Sequence, residues 1–453
     1  MNDTARSSPF TPAPSPESPF GVMRAPRELI FGDGHRAVLG EVAAPLGRKA
    51  LVCTDQRFAA SPAMDGLCAN LADKGIAVRV FDGTLAELPS QSVHACVEQC
   101  RDFAPEMVIG VGGGSCMDMA KLAALLLTHG GPLERYYGEF KVPGPVLPVI
   151  ALPTTAGTGS EVTPVAVLAD SARDLKVGIS TPWLIPYAAI CDPELTHTCP
   201  PALTALSGAD ALTHAVEAFT AIRHPADPLI SHRRVFVGRN RFSDHHALEA
   251  IRAIFGHLER AVDRPGDAHA RSMLMYGSVC AGLAFGTAGT AAAHAIQYPV
   301  GALTHTPHGL GVAALLPYVM RFNASACEAE LASIGAAIAA HGAHDASEPR
   351  EVREPGEVRE ASGVRRVSDA SATQSELAQA AIERTQALCA SIGIPRTLAD
   401  LGLRRDQLDW VAEQSMLAAR LINNNPRPLA LDDVKTLVRH AFEGVASNTR
   451  ALA

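Results

Sequence analysis

The stretch Val108–Lys121, VIGVGGGSCMDMAK, decides how this chain is read. An apolar strand pattern runs into Gly112, Gly113, Gly114 and Ser115 and then straight into a helical pattern. Glycines at such a turn let the backbone approach a ligand closely, and the free N–H groups at the helix start favour an anion such as a pyrophosphate. The loop is neither a GxGxxG fingerprint nor a Walker loop, and taken alone it is equally well a tight turn. A second cluster, LPTTAGTGSEVTPVAVL, follows the next strand pattern. Its Thr154, Thr155 and Thr158 offer hydroxyls to a nucleotide, and Gly157 and Gly159 give that nucleotide room.

Outward from the glycine loop, residues 47 to 152 alternate short apolar runs with amphipathic stretches: KALVCTD, AMDGLCANLADKG, IAVRVFD, SVHACVEQCRDF, EMVIGVGGGS, MDMAKLAALLLTHG and LPVIALP. Continuously apolar strands separated by helices imply a parallel sheet covered on both faces. Asp55 closes the first of these strands. A carboxylate there either accepts the ribose hydroxyls of an adenosine, selecting NAD over NADP, or caps the helix that follows.

After about residue 200 the strand signals fade into long Ala- and Leu-rich helical patterns, as in PALTALSGADALTHAVEAFTAI, ALEAIRAIFGHLERAV and HARSMLMYGSVCAGLAFG. Pro200 and Pro201 mark the change, since Pro201 suits a first helical position. The expected organisation is a tail over 1–22, an α/β domain over 23–199 and a helical domain over 200–453, with a flexible insertion at 347–374. That insertion is charged, poor in large apolar residues, and repeats EVRE. Residues 223–246, RHPADPLISHRRVFVGRNRFSDHH, are expected to form a long surface connection, with shaping a substrate entrance as the alternative.

Composition excludes several classes of function. Lys and Arg total 39 against 47 Asp and Glu, a net charge of −8, and no basic block of the kind that tracks a phosphate backbone is present, so no nucleic-acid partner is expected. Apolar runs such as LAALLLTHGG are too short for a bilayer, so no membrane partner is expected. The N-terminus, MNDTARSSPFTPAPSPESPF, has no apolar core of a secretory signal, and the ten cysteines are scattered without a CxxC. Both point to buried thiols in a cytoplasmic protein.

Two further segments carry metal-ligand chemistry. In SGADALTHAVEAF, Asp210 and His214 stand four apart and share one helix face. In HAIQYPVGALTHTPHG, residues 294–309, three histidines crowd a segment of apolar and small residues. His294 and His308 are expected to be separated by a loop, and they converge only if that loop folds back towards the first helix. One carboxylate with neutral imidazoles suits Fe²⁺ or Zn²⁺, although each pair alone is more often a satisfied core pair.

Taken in order, GGGSCMDMAK, LPTTAGTGSEVT, CDPEL, GADALTHAVEAF, the segment from His294 to His308 and HGLGVAALLPYVMRFN resemble the iron-containing alcohol dehydrogenase family. The resemblance runs from about residue 24 to the C-terminus, interrupted by the 347–374 segment. It implies an N-terminal dinucleotide-binding α/β domain with a parallel sheet, an all-helical metal-binding C-terminal domain, and an active site in the cleft between them. It makes Asp210, His214, His294 and His308 the metal ligands and leaves His305 a loop residue. Gly112, Gly113, Gly114 and Ser115 match the pyrophosphate loop, with Asp118 beside it. Thr154, Thr155 and Thr158 match residues lining adenine and nicotinamide, Lys176 a cofactor contact, and Asp55 the ribose carboxylate. The implied reaction is hydride transfer between a small alcohol, or a hydroxy acid, and NAD on Fe²⁺ or Zn²⁺, in a protein that commonly forms a homodimer.

Two departures bear on the reaction. Where the branch acting on simple alcohols and diols usually carries a further histidine, four residues after His294, this chain has Tyr298, a candidate catalytic residue. The stretch FDGTLAELPS lacks the Asn-Pro-Thr usual after that strand. Both are similar to the hydroxyacid-oxoacid transhydrogenase branch, the alternative reaction. Maleylacetate reductase-like and dehydroquinate synthase-like enzymes share the architecture, and the Asp plus three His set disfavours the cyclase.

Overall fold

The computed structural model describes residues 20–170, 175–345 and 372–444. The expected tail up to residue 19 and the charged segment over 347–371 lie outside the described residues. The first part runs β1 (Glu28–Phe31), α1 (Leu39–Ala43), β2 (Lys49–Cys53), α2 (Gln56–Ala59), α3 (Pro62–Asp73), β3 (Ala77–Phe81), α4 (Ser90–Cys100), β4 (Met107–Gly112), α5 (Gly114–His129), β5 (Gly138–Glu139), β6 (Val149–Pro153), β7 (Val165–Asp170), β8 (Leu175–Ser180) and β9 (Ala188–Cys191). The remainder is helical: α6 (Pro201–Thr220), α7 (Ile230–Arg233), α8 (Arg241–Asp263), α9 (Ala268–Ala288), α10 (Ala292–Thr304), α11 (His308–Asn323), α12 (Glu328–Asp345), α13 (Gln374–Ser391), α14 (Leu408–Leu417), α15 (Ala419–Ile422) and α16 (Leu431–Glu443). Among the described residues no single helix is long and apolar enough to cross a membrane.

The main sheet is parallel throughout, in the order β1-β9-β6-β4-β2-β3. Its strands are apolar on both faces because both are covered. Along β2, Ala50 and Val52 pack with Met64, Leu67 and Leu71 of α3. Leu51 and Cys53 turn the other way, to Val93, Cys96 and Val97 of α4. β3 and β4 flank β2 on opposite sides, so the chain reverses its direction of travel across the sheet there. Such a reversal opens a crevice at the carboxyl ends of the two strands, where Asp55 and Gly113 stand.

Two buried side chains tie a second, smaller sheet to α5. β7 and β8 form an antiparallel hairpin, with β5 beside β8. Lys121, fully buried, donates to the carbonyls of Thr163 (3.1 Å) and Val165 (2.7 Å). Asp118 accepts from Ser160 Oγ (2.5 Å) and from the Val167 amide (2.9 Å). The hairpin is thereby fixed as one wall of the crevice.

The helical part corrects several expectations. Residues 20–22 dock rather than trail: the Phe20 carbonyl accepts from the Arg241 amide (3.0 Å), and the Val22 amide donates to Asn240 Oδ1 (3.3 Å). The connection expected over 223–246 ends at Asn240, whose side chain caps α8 with Ser243 reciprocating, and Val235, Phe236 and Val237 are buried. It is therefore no surface loop along that stretch. The insertion expected to reach 374 gives way earlier, because Thr373 and Glu376 form a capping box that starts α13 at Gln374. The segment expected to be a loop from His294 to His308 is mostly α10, with only His305, Thr306 and Pro307 between it and α11.

α11 reaches α6 through a glycine. A Cβ on Gly309 would lie 2.4 Å from the Leu206 carbonyl oxygen, a rigid backbone atom. Gly309→Ala is therefore expected to push α11 away from α6 and cost about 1–3 kcal/mol. A lowered thermal unfolding midpoint checks this, and an unshifted one contradicts the close approach.

Candidate metal and cofactor site

A cleft of about 1110 Å³ runs between the carboxyl ends of the parallel strands and the helical part. At its sheet end stands the glycine loop. Gly112 has φ +147°, and a Cβ there would strike Cys116 Sγ at 2.5 Å, so the turn from β4 into α5 requires glycine. Gly113 precedes α5 in extended conformation, and a Cβ on it would meet nothing nearer than Thr155 at 3.6 Å. The backbone there is open to the cleft, with the first amides of α5 at its edge, which is the surface a pyrophosphate needs.

The cofactor residues expected from sequence all line this cleft except Gly112, which sits behind it: Asp55, Gly113, Gly114, Ser115, Asp118, Thr154, Thr155, Thr158 and Lys176. Three have duties that sequence did not separate. Asp55 Oδ1 caps α2 by accepting from the Phe58 amide (2.9 Å), so the capping role and a place in the cleft coexist. Asp118 lies beside the loop, yet its carboxylate is occupied by Ser160 and Val167, which makes it a brace for the wall. Lys176, on β8, is paired with Glu87.

At the other end three imidazoles face one carboxylate, and Asp210, His294 and His308, but not His214, form a mutually close set. Asp210 Oδ1 lies 3.7 Å from His214 Nε2, 3.7 Å from His294 Nε2 and 3.9 Å from His308 Nε2. Asp210, His294 and His308 can each offer an atom within 4.8 Å of the others. These distances exceed hydrogen-bond reach. Two ligands about 2.0–2.2 Å from one tetrahedral cation are themselves separated by roughly 3.4 Å, so the spacing is close to that of a shared ion. Asp210 Oδ1 and His294 Nε2 are buried without a hydrogen-bond partner, a costly state for polar atoms that a cation between them relieves.

Sequence reasoning missed the residues that aim the candidate ligands. Glu217 accepts from His294 Nδ1 (2.6 Å) and from the amides of Ala291 (2.9 Å) and Ala293 (2.7 Å). Gln297 Oε1 accepts from His308 Nδ1 (2.6 Å). With the proton on Nδ1, each Nε2 turns its lone pair towards Asp210, the outer-shell arrangement typical of histidine ligands. The signal was available: Glu217 follows His214 by three positions on one helix, and Gln297 follows His294 by three. His214 has no side-chain partner at Nδ1; it stacks on Phe285, with ring centroids 4.1 Å apart, and lies against the Gly157 backbone.

Electrostatics agree with a ligand set. Burial holds His214 and His308 well below the ordinary imidazole value, so both are neutral, the form that binds a metal. Burial pushes the Asp210 carboxyl up to about 7, with His294 and Lys176 opposing, and a divalent cation is the charge that restores the carboxylate. One carboxylate with a set of imidazoles suits Fe²⁺ or Zn²⁺. Tyr298 lines the cleft one helical turn beyond His294, its ring centroid 6.0 Å from that of His308, and burial keeps its phenol protonated. His305 caps α10 in a left-handed conformation, exposed and away from the ligand set.

The family model described as iron-containing alcohol dehydrogenase matches residues 26–193, and the C-terminal model of the Fe-containing alcohol dehydrogenase family matches 204–442. Long-chain-alcohol dehydrogenase 1 of Geobacillus thermodenitrificans is 34% identical, over 87% of this chain and 89% of its own. The crystal structure of a 1,3-propanediol oxidoreductase superposes with a TM-score of 0.80 at 31% identity, covering 93% of this chain and 99% of its own. A sulfoacetaldehyde reductase from Bifidobacterium kashiwanohense, solved in complex with NAD⁺, superposes with a TM-score of 0.73 at 28% identity, covering 95% and 100%. Matched over both its sheet-bearing and its helical parts, the chain belongs to the iron-containing alcohol dehydrogenase family.

Proposed function

We propose that this protein moves a hydride between a small alcohol and NAD, running equally as an aldehyde or ketone reductase. Residues 23–199 would bind NAD, and residues 200–453 would hold Fe²⁺, with Zn²⁺ as the alternative, through Asp210, His214, His294 and His308. What carries the proposal is the convergence of three imidazole Nε2 atoms on one partnerless carboxylate oxygen, in the same cleft as the glycine loop. The relatives named above act on alcohols or aldehydes by their names, and one was solved with NAD⁺. A cytoplasmic homodimer belongs to the same proposal, resting on the ten free thiols and on the family resemblance.

Bound in these sites, the cation supplies Lewis acidity to the substrate oxygen, worth on the order of ten kcal/mol towards losing the hydroxyl proton, and the nicotinamide supplies the hydride acceptor. The chain's own residues do the rest. Glu217 and Gln297 keep two imidazoles in one tautomer and one orientation, so the geometry is set before substrate arrives. Phe236, Phe285 and Leu417 line the cleft with apolar surface that excludes water from the reacting carbon. The Tyr298 phenol, protonated beside His308, is placed to donate a hydrogen bond to substrate.

His214→Ala is expected to bring metal content below one ion per chain and to abolish turnover with it; full metal content with normal turnover refutes the ligand set. Glu217→Gln leaves all four ligands in place and should weaken metal binding by about 10–100-fold in a chelator competition, against no change if His294 needs no carboxylate.

Asp55→Asn keeps an acceptor for the Phe58 amide while removing the charge. The NADP to NAD ratio of kcat/KM should rise by at least about tenfold, or about 1.4 kcal/mol. An unaltered ratio removes Asp55 from the ribose site.

Tyr298, standing where alcohol- and diol-specific relatives usually carry histidine, keeps the hydroxyacid-oxoacid transhydrogenase reading in play. NADH absorbance separates the two: a dehydrogenase accumulates many equivalents of NADH from NAD and alcohol. A transhydrogenase stops at one equivalent per chain until a 2-oxo acid is added.

A further inference from the structure

Among the described residues, the deeply placed cations are satisfied, with one exception. Lys121 is surrounded by the Thr163 and Val165 carbonyls. Arg271 donates to the carbonyls of Pro265, Thr196 (2.7 Å) and Cys199 (3.1 Å). Arg239, 12% exposed, is paired with Asp244 and Glu330. Arg420, on α15, lines the cleft, and its Nη1 is buried with no hydrogen-bond partner. Among the described residues no hydrogen bond or ion pair reaches any part of its guanidinium.

Phe236 stacks on it, its ring centroid 4.2 Å from the guanidinium carbon. That contact uses the flat face of the group. The five N–H donors lie in the plane and point elsewhere, so stacking holds the guanidinium in position without consuming its hydrogen bonds. The acidic groups around it are otherwise engaged: Glu139 accepts from the Val235 amide, and Glu217 holds His294. The other cations of the cleft do not compete, since Lys176 is paired with Glu87 and Arg57 stands by Asp55 at the cofactor end. Arg420 instead neighbours Tyr298, whose hydroxyl it draws downward against the effect of burial. A planar cation with free in-plane donors, clamped on an aromatic face in the wall of a cleft, is a receptor for a planar or tripodal oxyanion.

We infer that Arg420 seats the anionic end of the substrate, so that the compound oxidised is a hydroxy acid carrying a carboxylate or sulfonate at the end remote from the hydroxyl. This rests on the dehydrogenase reading of the cleft. In the reaction the hydroxyl carbon gives its hydride to NAD⁺, the hydroxyl proton leaves to solvent, the carbonyl forms and the acid group is unchanged. The guanidinium fixes which end of the molecule faces Asp210.

The test uses metal-loaded enzyme at saturating NAD and a series of ω-hydroxy carboxylates of two to six carbons. Each is assayed beside its neutral amide, with one hydroxy sulfonate and one unsubstituted primary alcohol added. The wild-type enzyme should prefer carboxylate over amide by at least about tenfold in kcat/KM at one chain length. Arg420→Gln should lower kcat/KM for that carboxylate by about 10–100-fold, chiefly through KM, and collapse the acid-to-amide ratio; Arg420→Lys should keep part of it. Equal values for acid and amide in the wild-type enzyme overturn the inference without recourse to a variant, while oxidation of the neutral compounds leaves the dehydrogenase reading standing. An Arg420→Gln enzyme with a raised KM for NAD and an unchanged ratio also overturns it, assigning the group to the cofactor. Failure to oxidise any alcohol, neutral or acidic, removes the dehydrogenase reading and this inference together.

Discussion

The structure depends on a single buried oxygen. Asp210 Oδ1 sits inside the helical part with three imidazole nitrogens facing it and no hydrogen bond to any of them. Folding a carboxylate into such a place is unfavourable unless something of opposite charge arrives, and His214 and His308, kept neutral by burial, do not provide it. The arrangement is coherent as half of a complex whose other half is a cation. Many features around it serve to keep that geometry open. Glu217 and Gln297 hold their histidines from behind, Phe285 stacks on His214, and Gly309 lets α11 come close enough to bring His308 into range.

The sheet end solves the complementary problem for an anion. β2 and β4 end at the point where the chain reverses across the sheet, and the glycine turn into α5 exposes backbone there without side chains in the way. The buried Lys121 and Asp118 are charged and near the cleft, but their role is structural. Their partners are backbone groups and a serine of the neighbouring wall, so their work is to hold the β7-β8 hairpin, and with it Lys176, against α5. Rigid walls on both sides let one cleft present a cofactor and a metal to the same substrate.

Sequence made the central βα units legible because their strands are continuous apolar runs bounded by glycine and charged residues. It left out β1, whose ELIF is short and partly exposed at the sheet edge, and β9, whose AAIC carries little strand preference. β7 alternates clearly in the structure, yet its VAVLAD follows directly on the Thr and Gly cluster and was absorbed into it. α10 was hidden by Pro299, Gly301 and its polar residues. There Ala292, Ala293, Ala295, Ile296 and Val300 pack into a buried cluster, and that burial outweighs the local propensity for a loop. The candidate metal ligands were named from the resemblance, whereas Glu217 and Gln297 needed three dimensions to show which nitrogen they touch. Arg420 had no sequence signal at all, being one arginine in a run of small and apolar residues whose lack of a partner is visible only in the packing.

The most direct test is anomalous scattering from crystals of the iron-loaded protein, recorded on both sides of the iron absorption edge. The account requires one peak, with Asp210 Oδ1 and the Nε2 atoms of His214, His294 and His308 each within about 2.0–2.4 Å of it. A peak bound elsewhere, or none in protein shown by elemental analysis to contain iron, would contradict it.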